Sequence, residues 1–191
     1  MRAVWTAITI FVALLGEALA QAPPPSPAVF TSPELGFRYI PPRGLRDTTL
    51  DDQQWIQRRA TELRTTKVLV LLLSLRSGAD DTLNDWCTIG MESYPLQKLG
   101  VATDQDAIRK LSRWVAGNGT ETGEPKDLRI GQSHFAVSTF QLREGSLTKQ
   151  AHIYTTILRG QVLAIVFSAN SAEVLSRIEA SIKTFEPLKH D

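Results

Sequence analysis

Two short segments of the chain, Val68–Leu73 and Val162–Phe167, are apolar at every position. Each has the length of a β-strand, and successive side chains of a strand point to opposite faces of its sheet. Leaving either face in water would cost several kcal/mol, at about 25 cal/mol per Å² of apolar surface. The two segments therefore predict a sheet that other elements cover on both faces.

Three amphipathic segments are available to cover the sheet, each with capping residues followed by apolar side chains at helical spacing. The predicted caps are Thr49 with Asp52 for a helix from Leu50 to about Arg64, Thr103 with Asp106 for a second helix, and Asn170 with Glu173 for a third that Pro187 ends. The predicted inward faces are Ile56, Ala60 and Leu63; then Ala107, Ile108, Leu111, Trp114 and Val115; then Val174, Leu175, Ile178, Ile182 and Phe185.

Further segments read as strands, and the longest loop is predicted at Gly117–Pro125. These strands are Val29–Thr31, Phe37–Ile40, Trp86–Tyr94, Leu128–Ile130, Phe135–Leu142 and Ala151–Leu158. Turn residues at 143–146 and 159–160 join the last strands and Val162–Phe167 into an antiparallel meander. The sequence thus predicts an α+β fold in which an antiparallel β-sheet is sandwiched by helices, an α/β/α arrangement.

The first twenty residues have the pattern of a signal peptide. Arg2 precedes an apolar run, Ala3–Leu15, which is too short for a membrane span of roughly twenty residues. We expect cleavage between Ala20 and Gln21, with an uncleaved anchor as the alternative. Residues 21–28 are a proline-rich tether, 29–187 a single globular domain and 188–191 a tail. This organisation predicts a periplasmic or secreted protein without a membrane span after cleavage.

Charge and cysteine content exclude several classes of protein. The chain has 21 Lys and Arg against 20 Asp and Glu, a net charge of +1, whereas nucleic-acid binding needs a basic surplus. It has one cysteine, which allows neither a disulfide framework nor a multi-cysteine zinc site. We therefore expect no nucleic-acid partner, and the sequence gives no positive sign of a cofactor or a metal.

Cys87, His134 and His152 are the residues with the most reactive side chains. Cys87 lies in a predicted strand, which favours a buried thiol, although a Cys–His nucleophile would be possible if a histidine lay beside it in a cleft. His134 and His152 could share a metal with a carboxylate such as Glu144 or Asp127 if adjacent strands placed them on one face. Structural histidines are the alternative, because no metal-ligand spacing is present.

Other polar clusters have simpler interpretations. Ser146 and Lys149 match a Ser-x-x-Lys pattern, but they fall in a predicted hairpin turn and lack the companion motifs of that class of hydrolase. Asp80, Asp81 and Asp85 form an acidic loop without the glycine and glutamate of a calcium loop. A basic patch around the first helix indicates either a hydrated helix face or an anionic partner; it comprises Arg58, Arg59, Arg64 and Lys67.

Both ends of the domain resemble the PsbP-like family. The segment Phe30–Pro42 contains Gly-Phe-Arg-Tyr running into two prolines, and Gly160–Leu163, Phe167–Ala169 and Ser181–Phe185 resemble the family's ending. The resemblance implies an antiparallel sheet between helices. The family includes a photosystem II extrinsic subunit, a nuclear-transport regulator and many uncharacterised bacterial proteins, so it implies no single function and no site residue. The whole chain also resembles small exported bacterial proteins of unknown function. The stretch from Leu50 to Gly123 departs from the family pattern.

The sequence favours an exported, non-catalytic binding or accessory domain of the cell envelope, which acts on an envelope protein or a small ligand. Loops carry recognition without disturbing a core, so the predicted contact regions are 117–125 and Asp80–Asp85. The alternative is a small envelope hydrolase or metal-dependent enzyme that uses His134, His152 or Cys87.

Overall fold

The computed structural model describes residues 28–62, 70–77, 86–101, 103–117, 119–144 and 147–188. The predicted signal peptide, residues 21–27 of the predicted tether and residues 189–191 of the predicted tail lie outside these ranges. So do Asp80, Asp81 and Asp85 of the acidic loop. No helix in the described part of the chain is long and apolar enough to cross a bilayer.

The predicted strands and helices occur in the predicted order, together with short strands at Leu45–Asp47, Thr120–Glu121 and Glu186–Pro187 that the sequence patterns did not predict. The strands are β1 Phe30–Ser32, β2 Phe37–Tyr39, β3 Leu45–Asp47, β4 Val70–Ser77, β5 Cys87–Pro95, β6 Thr120–Glu121, β7 Lys126–Ile130, β8 Ser133–Glu144, β9 Leu147–Leu158, β10 Gln161–Ala169 and β11 Glu186–Pro187. The helices are α1 Thr49–Glu62, α2 Asp104–Ala116 and α3 Ala172–Glu179, with short 3₁₀ turns at Leu96–Leu99 and Ala180–Thr184.

Within the described residues, eight strands form one antiparallel sheet. Its order is β3-β4-β5-β10-β9-β8-β6, and β7 pairs with the other end of the same β8 edge. The predicted meander is confirmed, because β8, β9 and β10 pair consecutively. The predicted loop 117–125 contains the short strand β6, which sequence patterning did not reveal.

One face of the large sheet packs against α3 and a small three-stranded sheet, β1-β2-β11. Aromatic rings join the two sheets: Phe37 of β2 stacks on Phe185 at a centroid distance of 4.8 Å, and Phe185 meets Phe135 of β8 edge-on at 5.1 Å. All three rings are buried. The apolar side chains predicted for the last helix, Val174 through Phe185, belong to this core.

Helices α1 and α2 lie on the opposite face. The α2 residues Ala107 and Leu111 pack with Ile153 of β9, and the hydroxyl groups of Ser112 and Thr155 hydrogen bond at 2.7 Å beneath the helix. Helix α1 packs mainly against β4. The predicted fold class, an antiparallel sheet sandwiched by helices, is therefore confirmed.

Strand β10 has the two buried faces that the sequence predicts, but β4 differs in part. Val68 and Leu69 lie outside the described residues, and Val70 is 52% exposed. A β-bulge lies between Leu71 and Leu73, so these two side chains are buried on opposite faces although they are two residues apart. Because a bulge adds one residue to a strand, the apolar run in β4 is longer than a regular strand would need.

The caps of two helices differ by one residue from the prediction. Thr49 is the first residue of α1, its backbone N–H donates to the Asp47 carboxylate at 2.9 Å, and Thr48 precedes it. Ser171, rather than Asn170, caps α3 by accepting the N–H of Val174 at 3.2 Å. Helix α3 also ends earlier than predicted, and a 3₁₀ turn continues it. The third predicted cap, Thr103 with Asp106, is confirmed.

The turn between β1 and β2 gives a test of the small sheet's attachment. Gly36 has φ of +71°, and a Cβ there would lie 2.6 Å from the Arg159 guanidinium carbon. Arg159 in turn donates to the Pro33 carbonyl at 2.7 Å. We expect Gly36→Ala to lower the free energy of unfolding by about 1–2 kcal/mol, because it strains the backbone and displaces Arg159.

The matched control is Gly44→Ala, since Gly44 also has positive φ (+86°) but open space at its Cβ position. Urea denaturation should show a smaller loss for Gly44→Ala than for Gly36→Ala. Equal losses would mean that the Arg159 contact adds nothing to the stability of the domain.

Candidate functional site

A cleft of about 440 Å³ lies on the sheet face that carries α1 and α2, between these two helices. The strand register determines which residues form the floor of the cleft, because residues paired across antiparallel strands lie on the same face of the sheet. One row runs from Arg76 of β4 through Thr88 of β5 to Ser168 of β10. The next row runs from Ser74 through Gly90 to Val166. The centre of the sheet is thus left open between the helices.

The floor consists of small and hydroxyl-bearing side chains. Ser168 and Ser74 are buried, and the hydroxyls of Thr88 and Ser168 hydrogen bond to each other at 2.7 Å. Gly90 is the central residue of the second row, and the nearest atom to a Cβ built there is the Val166 Cβ at 3.9 Å. The cleft therefore reaches the backbone of a central strand.

A hydrogen-bonded cluster around Asp52 fixes the wall of the cleft that α1 forms. The Asp52 carboxylate accepts from the Ser74 hydroxyl at 2.6 Å, from the Thr48 hydroxyl at 2.9 Å, and from the Arg76 guanidinium at 2.6 Å. Gln53 adds a bond of 2.9 Å to the Leu71 carbonyl of β4. These contacts fix α1 to the edge of the floor and hold the Arg76 guanidinium beside the cleft.

Lys149 of β9 lies at the end of the cleft and is only 4% exposed. Its ammonium nitrogen lies 3.1 Å from the centroid of the Trp86 ring, a cation–π contact. Burial, and then the charge of nearby Arg76, lowers the pKa of Lys149 from its usual value. Two cationic side chains from different strands therefore approach each other at the cleft.

The other walls are largely apolar. Trp55 and Ile56 project from α1, and Val115 projects from α2. Leu142 of β8 closes the side near Gly119, which has no room for a side chain because a Cβ would lie 2.5 Å from Leu142. The cleft thus combines an apolar body with a cationic end, and its volume falls in the range of about 300–1,000 Å³ typical of ligand sites.

The residues that the sequence favoured for catalysis are not brought together. His152 lies opposite Thr139 in the β8–β9 register, so His134 is displaced by about 17 Å along the strand and lies on the other face. Cys87 is fully buried, and β10 separates its strand from that of His152, a spacing of about 10 Å. No three His, Cys, Asp or Glu side chains gather at a metal-like site in the described residues.

His152 has a structural environment under α3. Its Nδ1 lies 2.6 Å from Oε1 of Glu179, and the Tyr154 hydroxyl donates to the same oxygen at 2.5 Å. Burial and the neighbouring Glu179 raise the pKa of Tyr154 well above its usual value. A depression of about 500 Å³ touches Tyr154 and Glu179, but their polar groups bond to each other. This cluster ties α3 to the sheet.

Other predicted residues fall in different places. Lys149 lies in strand β9, so its predicted position in a hairpin turn is wrong. Asp127 is exposed on β7, paired with Ala136 rather than placed near His152. Gly119, from the predicted contact loop 117–125, reaches the cleft. Ser146, Arg64 and Lys67 lie outside the described residues.

Sequence reasoning did not identify the cleft, but one signal was present. Within Cys87–Pro95 the residues Thr88, Gly90 and Glu92 alternate with buried Ile89 and Met91. A glycine inside a central strand indicates a bulge, a bend or a close approach of another group. Gly90 has no register shift and no positive φ, and the nearest atom to a Cβ built there is 3.9 Å away, so neither a bulge, nor the backbone conformation, nor a close neighbour requires glycine at this position.

No family model matches the sequence, and no curated protein is significantly similar to it. Among solved structures, the chain resembles a Bacteroides thetaiotaomicron protein with 16% identity and a TM-score of 0.50, covering 85% of this chain and 48% of that one. The chain therefore spans about half the length of that protein. At this identity the likeness concerns the fold alone.

Two further structures are similar at lower scores. LpqN, involved in cell envelope biogenesis of Mycobacterium tuberculosis, has 11% identity and a TM-score of 0.41, covering 64% of this chain and 80% of LpqN. Cyanobacterial PsbP from Synechocystis has 12% identity and a TM-score of 0.46, covering 83% of this chain and 91% of that one.

Proposed function

We propose that the chain is an exported, non-catalytic binding domain of the cell envelope, and that the cleft between α1 and α2 holds a small organic ligand. The observation that carries this proposal is the open strip of sheet at Gly90. Glycine inside a strand costs about 0.5–1 kcal/mol relative to alanine. Nothing nearby demands that cost, because a side chain would fit over Val166 without a clash.

The shape and chemistry of the cleft support a ligand rather than a solvent-filled gap. Apolar side chains from both helices face a floor of hydroxyl groups, and charged side chains also line the cleft. Apolar walls combined with convergent polar groups are typical of sites for small molecules. The signal-peptide pattern of the first twenty residues supports the proposed location in the periplasm or outside the cell.

A binding role also fits the distribution of reactive side chains better than catalysis does. The thiol of Cys87 is buried in the core on the face opposite the cleft. His134 and His152 do not line the cleft among its described residues. A general base must be within hydrogen-bond reach of its substrate, and the candidates from the sequence do not meet this condition at the cleft.

Filling the cleft from its floor tests the proposal directly. Phenylnaphthylamine, a neutral aromatic probe that fluoresces in apolar surroundings, should bind the native protein. We expect Gly90→Leu to weaken this binding by about tenfold or more while stability is unchanged or raised by about 0.5–1 kcal/mol, because the strand gains a side chain. Fluorescence titration and urea denaturation measure the two effects.

Gly90→Ala is the matched control, since one methyl group leaves most of the cleft open. Its affinity for the probe should lie between those of the native protein and Gly90→Leu. Native affinity in a folded Gly90→Leu variant, or no probe binding by the native protein, would contradict the proposed site.

A further inference from the structure

We infer that the edge strand β7 is an interaction surface for a second copy of this chain. In the inferred dimer two β7 strands pair antiparallel about a two-fold axis at Leu128, so that the large sheets of both copies become continuous. The inference goes beyond the proposed function and does not depend on the cleft.

The first support is that the outer edge of β7 presents unpaired backbone groups. Within the described residues β7 pairs only with β8, and four of its five residues are exposed. A two-residue turn joins Ile130 to Ser133, and hydrogen-bonded pairs alternate along the two strands from that point. The backbone groups of Ile130 and Leu128 are therefore directed to β8. Those of Asp127 and Arg129 are directed outwards, where a further strand can pair with them.

The second support is the order of charges along this strand. In an antiparallel pair centred on Leu128, Asp127 of each copy lies opposite Arg129 of the other, and the two residues exchange backbone hydrogen bonds. Their side chains then share one face of the joined sheet. Neither side chain forms an ion pair with another described residue. The Arg129 Nε donates to the Gly131 carbonyl at 3.2 Å, which holds the guanidinium beside the edge.

The same charges oppose the neighbouring registers. Charged side chains ordinarily protect an edge strand from association. Because only every second residue directs its backbone outwards, the strands can slip only by two residues. One slip would place Asp127 opposite Asp127 of the second copy, and the other would place Arg129 opposite Arg129 of the second copy. The charge order therefore favours the two-fold register over both neighbours.

The third support is an apolar contact at the axis. Leu128 is 42% exposed and pairs with Phe135, whose ring lies in the core beneath α3. On this face a depression of about 500 Å³ adjoins the strand, with Leu128, Ile130 and Ile182 among its lining residues. The Leu128 side chains of the two copies form the closely spaced central pair and cover apolar surface that each copy alone exposes.

Sedimentation velocity of the native protein at increasing concentration tests the inference. Two five-residue strands bury less surface than a standard interface, so we expect reversible dimers with a dissociation constant of about 10–100 µM. Arg129→Asp places like charges opposite each other at both symmetric positions, and it should raise this constant about tenfold or more. A native protein that stays monomeric up to about 1 mM would overturn the inference, as would a dimer that Arg129→Asp does not weaken.

The double variant Asp127→Arg with Arg129→Asp exchanges the two charges and restores both opposite pairs. Its dissociation constant should return to within about threefold of the native value. This rescue separates the interface from a structural role of Arg129, because the double variant also lacks the bond to the Gly131 carbonyl. Failure of the exchange to restore association in a folded protein would contradict the inferred register.

Arg43→Asp is the matched control for the change in net charge. Arg43 is exposed and precedes β3, the strand at the opposite edge of the large sheet. Its replacement should leave the dissociation constant within about twofold of the native value, since surface charges far from an interface are largely screened. An equal loss of association in Arg43→Asp and Arg129→Asp would mean that overall charge, and not β7, controls the dimer.

Discussion

Replacing Phe37 by alanine is expected to lower the free energy of unfolding by about 3–5 kcal/mol, the range for a large aromatic side chain removed from a core. Phe37 is fully buried and stacks on Phe185 at 4.8 Å, with Phe30 at 5.9 Å on its other side. The ring therefore joins the small sheet to the chain that follows α3. Its loss would leave a cavity, because the surrounding hydrogen-bonded strands cannot move inward to fill the space.

The control for this change is Ile40→Ala. Ile40 follows β2 directly, is 47% exposed, and bonds to Thr184 only through its backbone. Its truncation should cost less than about 1 kcal/mol, since half-exposed side chains contribute less burial. Urea denaturation at neutral pH measures both. A loss of under 1 kcal/mol for Phe37→Ala would show that the small sheet is not part of the cooperative core.

The importance of Phe37 could be predicted only in part from the sequence. The strand around it and the turn at Gly36 follow from local patterns, and both are confirmed. Its partner strand, Glu186–Pro187, pairs with Phe37 and Arg38 across almost the whole domain. A two-residue strand that contains proline has no local signature, so only the packed structure reveals that the two ends of the domain meet.

Local patterns predicted which segments are buried more accurately than they predicted the face of the sheet on which each side chain lies. In β10 the side chains alternate regularly between the two faces, and the prediction that both faces are buried is confirmed. In β4 the bulge between Leu71 and Leu73 shifts the register by one residue. Alternation read along the sequence then fails beyond the bulge, because an extra residue reverses the faces. Arg76 and Ser74 therefore reach the cleft without a pattern that reveals it.

The candidate site was hidden for the same reason. Arg76, Trp86 and Lys149 come from different segments, and the pairing of their strands, with the packing of Lys149 on the Trp86 ring, brings them to the cleft. Neither spacing nor composition connects them. The sequence instead drew attention to Cys87, His134 and His152, whose chemistry is conspicuous in any context. Residue type identifies what a side chain is able to do, but only topology decides which side chains act together.

The cluster under α3 leads to a pH-dependent prediction. Burial opposes ionisation of Glu179, but hydrogen bonds from His152 and Tyr154 outweigh it, so the pKa of this carboxyl falls below its ordinary value of 4.5. Glu179→Gln keeps the shape and removes the charge. We expect it to lower the free energy of unfolding at pH 7 by about 2–3 kcal/mol, the scale of hydrogen bonds to a charged group.

The sign of the pH dependence follows from linkage. The native carboxylate binds its proton at a lower pH than the unfolded chain does, so its contribution is complete above the unfolded pKa and is lost as the pH falls through the folded pKa. The contribution of the carboxylate, measured as the difference in stability between the native protein and Glu179→Gln, should therefore be present at about pH 5 and shrink towards pH 3. Urea denaturation at a series of pH values measures it.

Glu124→Gln serves as the control, because Glu124 is exposed in the loop before β7. This substitution should change stability by less than about 0.5 kcal/mol at every pH. A gap between native protein and Glu179→Gln that stays constant down to pH 3 would mean that Glu179 contributes by packing and not by its charge. The two hydrogen bonds to one oxygen would then be a consequence of how α3 docks on the sheet rather than a cause of it.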